Sequence, residues 1–162
     1  SEPPTLAPRA RSAYRRHLED LALRARRPVR ARVVARPECR EVGAQRSVGY
    51  GGAWQAPAGA RLATVGVGYA DGYRRRLGMR AMAAVAGHRV PVVGRVSMDL
   101  LTLDVSTVPA DRIAPGTAVD LIGGLVPLEE VAQAADTIGY ELLTGLGARL
   151  ERLYTGGAAA DT

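Results

Sequence analysis

Leu62-Ala63-Thr64-Val65-Gly66-Val67, followed by Gly68-Tyr69-Ala70-Asp71-Gly72-Tyr73, sets the architecture of this chain. The first six residues form an apolar, β-branched run of the kind that makes a buried strand. The next six change character. Glycine lets backbone approach another group closely, and tyrosine and aspartate bring polar groups to the same place. The pattern repeats downstream. Val90-Pro91-Val92-Val93 reads as a strand, and Gly94-Arg95-Val96-Ser97-Met98-Asp99 follows it. Two such strand-to-loop transitions in a small β-rich chain predict one shared site at the ends of neighbouring strands.

On either side of these blocks, short strand patterns and turn signals fill most of the chain. After Pro28, Val29 to Arg36 alternates apolar residues with arginine, a half-buried strand. Further strands are expected over Ser47–Tyr50 and Arg61–Tyr69, joined by a loop containing Gly51-Gly52 and Pro57. Met79–Ala86 and His88–Val93 read as a hairpin about Gly87. Leu100–Val105, Thr117–Ile122 and Arg149–Tyr154 complete the strands. Pro127–Ala135 carries Pro127 near its start and Glu129 and Glu130 in its first turn, which marks a short helix. Tyr140–Leu146 reads as another helical turn. The expected fold is mostly β, a partly open barrel of short strands with one or two short helices. The proline-bearing start and an Arg-rich amphipathic helix over Ala10–Ala25 form a separate segment, residues 1–27. The β-domain is expected over 28–155, with a frayed tail at 156–162.

Composition narrows the function classes. The chain has 162 residues, 47% hydrophobic and 4% aromatic with no Phe, enough for a core of Val, Leu, Ala and Ile. No apolar run reaches the roughly 18 residues of a membrane span. No signal-like segment stands out, which points to the cytoplasm. Cys39 is single, so neither an internal disulfide nor a thiolate cluster is expected. The net charge of +6 is uneven. Residues 1–46 hold 12 Arg against 5 acidic residues, whereas 47–162 hold 10 against 11. The part bearing the loops is near neutral, so nucleic-acid binding would rest on the Arg-rich arm, without stacking aromatics. All 22 basic residues are arginine. A chain without lysine cannot form a Schiff base through a side-chain amine.

Metal and hydrolase readings fail on spacing. His17 and His88 are too far apart to suggest a pair, and Asp71, Asp99 and Asp104 match no calcium or magnesium loop. No nucleophile elbow is present, and Gly66 and Gly68 lack the helix a dinucleotide loop requires. Tyr50, between Gly49 and Gly51, can serve as a base only where nearby cations lower its pKa from about 10.

Taken together, Ser47-Val48-Gly49-Tyr50-Gly51, Val67-Gly68-Tyr69-Ala70-Asp71-Gly72-Tyr73-Arg74-Arg75 and Gly94-Arg95-Val96-Ser97-Met98-Asp99 resemble the C-terminal β-domain of alanine racemase in order and spacing. Gly116–Gly123 and Thr137-Ile138-Gly139-Tyr140-Glu141 extend the resemblance over about residues 28–155. It implies interconversion of L- and D-alanine with pyridoxal 5′-phosphate, an electron sink held on a lysine of an N-terminal barrel. It implies a homodimer in which the β-domain of one subunit completes the partner's site. Tyr50 matches the base on the L-alanine face. Met98 matches the residue whose backbone binds the substrate carboxylate. Tyr69, Arg75 and Arg95 match the entry corridor. Asp99 is expected to order the Met98 loop or pair with an arginine. No cofactor-binding or metal residue is assigned within this chain, and the chain alone is expected to be inactive. Two other classes stand beside this reading: a non-catalytic binding or dimerisation module with the same fold, and an Arg-rich nucleic-acid binder.

Overall fold

A computed structural model describes residues 31–34, 38–114 and 116–151. These form nine strands: β1 (Ala31–Val34), β2 (Glu38–Glu41), β3 (Arg46–Val48), β4 (Trp54–Ala56), β5 (Arg61–Val65), β6 (Met82–Val85), β7 (His88–Val93), β8 (Leu101–Asp104) and β9 (Ala118–Ile122). Two short helices follow, α1 (Leu128–Ala134) and α2 (Gly139–Thr144). Seven strands make one sheet in the order β1-β9-β6-β7-β8-β5-β2, with every pairing antiparallel. β1 and β2 stand at opposite edges, so the sheet is not closed. β3 and β4 form a separate two-stranded ribbon. The mostly β, partly open architecture expected from the sequence holds.

Alternation decides which faces meet. In β8, Leu101 and Leu103 are buried while Thr102 and Asp104 are half-buried. In β7, Val90 and Val92 are buried while Arg89 and Pro91 are exposed. With Val65, Val85, Val119, Leu121, Leu77 and Val96 they make the main core, which α1 covers through Val131 and Ala132 and α2 through Leu142. Each fully buried Leu or Val contributes about 1.5–3 kcal/mol relative to its exposed state. The core is Val, Leu, Ala and Ile, and its one aromatic member is Tyr73. A smaller cluster of Val42, Ala56, Ala60, Leu62 and Val93, joined by Val48 and Trp54, seats the β3–β4 ribbon on β5 and β7.

Local chemistry explains the joints. Ala86 and Gly87 both take positive φ (49° and 82°), and Val85 pairs with His88, which is a two-residue turn of the primed type that suits strand twist. Pro91 lacks an N–H yet sits inside the sheet. The Val92 N–H points toward the β6 side, donating to the Ala81 carbonyl, so the Pro91 nitrogen faces β8. The β7–β8 pairing begins only at Val92, so no ladder bond is lost there.

Several boundaries differ from expectation. The strand expected over Ser47–Tyr50 ends at Val48, and Tyr50–Gly52 forms a 3₁₀ turn, because Gly49 and Gly51 adopt positive φ. The run from Arg61 ends at Val65 rather than Tyr69, and Tyr69–Asp71 is another 3₁₀ turn. β6 starts at Met82, three residues late. The expected loop between Gly51 and Pro57 contains β4, which its glycine and proline flanks conceal. β2 is a polar edge strand, Glu38-Cys39-Arg40-Glu41, whose charges hide it from a hydrophobic pattern. Arg149–Glu151 is not a strand. The Arg-rich helix and His17 lie outside the described residues, as does Tyr154.

Candidate functional site

The two glycine-led loops meet at backbone level. The loop after β5 and the loop after β7 lie side by side, with the Tyr69 N–H donating to the Ser97 carbonyl and the Ala70 N–H to the Met98 carbonyl, both at 3.0 Å. Gly68 is the point of closest passage. A Cβ there would strike the Met98 and Ser97 carbonyls, so a residue with a side chain could not hold this crossing. The Gly68 N–H turns inward and donates to Asp71 Oδ2 at 2.9 Å, and the Asp71 N–H returns to the Gly68 carbonyl at 3.1 Å. This reciprocal pair shapes the 3₁₀ turn that carries Tyr69.

The Tyr50 segment joins the same face. Gly49 passes the Gly94–Arg95 backbone so closely that a Cβ on it would lie 2.8 Å from the Arg95 nitrogen. From the other side, a Cβ on Gly94 would lie 3.1 Å from the Val48 carbonyl oxygen. The Arg95 guanidinium lies beside Gly51, with Nη1 3.1 Å from where a Cβ would sit. Three segments distant in sequence are therefore threaded together by close backbone contacts: 48–51, 66–72 and 94–99.

The side chains on this face are unusually exposed for apolar residues. Tyr69 is 48% exposed and Met98 53%, so Met98 is not a packing residue among the described ones. The Met98 N–H donates to no acceptor among the described residues. Nearby, Tyr69, Gly72, Arg74, Arg75 and Arg76 line a shallow groove of about 580 Å³. Arg74 pairs with Glu141, and Arg76 with Asp136. Arg75 and Arg95 are exposed and make no ion pair among the described residues. They leave uncompensated positive charge beside the groove and beside Gly51 respectively, which favours an anionic small molecule.

Asp99 accepts from Arg149 Nη1 at 2.8 Å. Arg149 Nε also lies 3.3 Å from Oδ1 of Asp71. The hydrogen bond to Asp99 and the Asp71 charge raise the Arg149 pKa further above its ordinary value, so it is a permanent cation. The sequence marks Asp71 only as a polar member of its loop, and Arg149 only as the start of an expected strand. The spacing Gly68-x-x-Asp71 is a usable signal, since a carboxylate three residues on caps such a turn. Arg149 has no comparable signal, being 50 residues from Asp99. Asp71 and Asp99 face an arginine, and Asp104 Oδ1 accepts from the Ser106 N–H at 3.0 Å and from its hydroxyl. No group of metal-ligating side chains occurs among the described residues. No described helix is long and apolar enough to cross a membrane.

The alanine racemase C-terminal domain family matches residues 29–154. The chain is 55% identical over 119 residues to the alanine racemase of Rhodospirillum rubrum, covering 74% of this chain and 32% of that protein. It is 48% identical over 128 residues to the biosynthetic alanine racemase of Agrobacterium fabrum, covering 72% and 33%. The crystal structure of biosynthetic alanine racemase from Pseudomonas aeruginosa superposes with a TM-score of 0.69 at 43% identity, over 75% of this chain and 34% of that one. The alanine racemase of Bartonella henselae, with covalently bound pyridoxal phosphate, gives 0.67 at 35% identity, over 78% and 34%. The chain spans about a third of the length of these relatives. On the match to residues 29–154 and the identity to these enzymes, the chain belongs to the alanine racemase C-terminal domain family.

Proposed function

We propose that this chain supplies one wall of an alanine racemase active site in the bacterial cytoplasm, the other wall being a cofactor-bearing barrel within a homodimer. Family membership supports the reaction class. The observation that carries the reading is the threading of 48–51, 66–72 and 94–99 into one exposed face. That face brings the Gly49–Gly51 backbone beside a Met98 N–H and the Arg75 and Arg95 side chains, none of which has a partner among the described residues, and this suits a small amino acid.

Pyridoxal phosphate, held through a lysine amine, would supply an electron sink for the substrate's α-carbon. The chain has no lysine, so its own donor set does not fit the cofactor. The barrel would provide the anchoring amine and the second base, and the isolated chain is inactive.

The roles follow from chemistry at each atom. Tyr50 takes or returns the α-proton on the L-alanine face, with its oxygen as the base. An ordinary tyrosine is protonated at neutral pH, so this role requires cations that favour the phenolate. From this chain, Arg95 brings a guanidinium beside Gly51, the residue after Tyr50. The Met98 N–H donates to the substrate carboxylate. Tyr69, Arg75 and Arg95 line the approach, and the two arginines attract the same carboxylate from solution. Asp99 keeps the Met98 loop in order through Arg149.

The test is complementation. Mixing this chain with a separately produced barrel domain that bears the cofactor should restore alanine racemisation above either part alone. Failure to restore it, with both parts folded, would leave a non-catalytic module as the better description.

A further inference from the structure

We infer that Arg149 is a positioning residue: a clamp between the two loops that fixes where the Met98 N–H stands. The inference rests on the reading of this face as half of a racemase site.

At their bases the two loops share the core through buried Val67 and Val96, and the Ser97–Leu100 turn closes on itself; at their tips they are joined by two backbone hydrogen bonds, with Tyr69, Met98 and Leu100 about half-exposed. Arg149 reaches both loops from a third segment. Nη1 donates to Asp99, immediately after Met98, and Nε faces Asp71, in the turn that begins at Gly68. The two carboxylates are not equivalent. Asp99 is only half-buried, with its side chain 46% exposed, so its attraction to Arg149 is screened. Asp71 is 5% exposed and is the one buried charged residue among the described ones. Its Oδ2 is already committed to the Gly68 N–H, which leaves Oδ1 for the guanidinium.

The arginine is itself held in place. The Gly147 N–H donates to the Asp71 carbonyl at 3.0 Å, two residues before Arg149. A Cβ on Gly147 would lie 3.1 Å from the Ala70 carbonyl oxygen. The segment is thus anchored on the turn, and the guanidinium extends from it to the Met98 loop. A planar fork with fixed donor directions can bind two carboxylates at once, which a lysine ammonium does less well. Without the clamp, the Met98 loop keeps its glycine crossing but loses a fixed angle. Its N–H would then sample positions away from a bound carboxylate.

Two measurements test this. In the full chain, Arg149→Gln should speed amide hydrogen exchange of Tyr69 and Ala70 by about tenfold through local opening, while Val92 and Leu103 in the sheet keep their rates. Arg149→Lys should fall between the two. In the enzyme completed by its barrel, Arg149→Gln should raise KM for alanine about tenfold with a change in kcat of less than about threefold, as for a lost ground-state contact. Unchanged exchange at Tyr69 and Ala70, or equal acceleration throughout the sheet, overturns the clamp. A KM that does not move, in an enzyme that Tyr50→Phe still disables, overturns its positioning role. If Tyr50→Phe has no effect on the completed enzyme, the racemase reading fails instead, and the exchange result still decides the clamp.

Discussion

The sheet core and the loop face are held together by different physics. The sheet between β5 and β9 is held by side-chain volume: Leu101, Leu103, Val90, Val92, Val119 and Leu121 are buried to within a few per cent. The loop face is held by the near absence of side chains, with backbone passing backbone at Gly68 and at Gly49 and Gly94. A volume-based core tolerates exchange of one apolar residue for another of similar size. A backbone crossing tolerates none at its glycines. The difference explains why exposed polar and apolar groups can collect on one face without collapsing onto the core.

Substitutions on either side of this contrast put it at risk. The largest expected effect is on chemistry. Tyr50→Phe in the completed enzyme should lower exchange of the L-alanine α-proton into deuterated solvent by about 10²–10⁴-fold, as loss of a general base does, with thermal stability unchanged. A change in stability of similar size to a core mutation would remove Tyr50 from the loop-face class. Next, Leu103→Ala should cost about 2–5 kcal/mol in global stability, measured by denaturant unfolding, because Leu103 is wholly buried in β8. Gly68→Ala should cost about 1–3 kcal/mol, but as local opening of 66–72 and 94–99 in hydrogen exchange rather than as a shift of the whole sheet. If the sheet exchanged faster too, the two regions would be one cooperative unit.

Tyr73 lies on the boundary and tests the sign. Its hydroxyl is buried with no hydrogen-bond partner among the described residues. Burial raises its pKa well above the usual value near 10. The neutral form is therefore favoured in the folded state. The corresponding stability is fully present below pH 10 and is lost as pH rises above it. Tyr73→Phe should stabilise the fold by about 1 kcal/mol at neutral pH, since it removes a buried, unpaired polar group. It should also flatten the loss of stability above pH 10 in thermal unfolding scans. The smallest effect belongs to the exposed surface. Arg89→Ala removes an ion pair with Glu130 and should change stability by less than about 0.5 kcal/mol.

The periodic strands and the strand-to-loop transitions are legible because alternation and glycine are local signals. Val90 to Val93 and Leu101 to Asp104 show their buried faces in the order of residues alone. β2 and β4 are not legible, since a charged edge strand and a three-residue ribbon strand carry no apolar period. The candidate residues Tyr50, Tyr69, Arg75, Arg95, Met98 and Asp99 come from block spacing and the family resemblance, not from periodicity. The structure adds which backbones touch: Tyr69 beside Ser97, Gly49 beside Arg95, and Gly51 under the Arg95 guanidinium.

Residue type and short-range order are enough to specify a β-rich fold, an aliphatic core and a sequence with no side-chain amine for an aldehyde cofactor. The open edges of the sheet, the threading of three loops and the reach of Arg149 across them emerge only from tertiary packing. Those depend on which distant segments come together, and a contact between residues 71, 99 and 149 leaves no periodic trace in the chain that makes it.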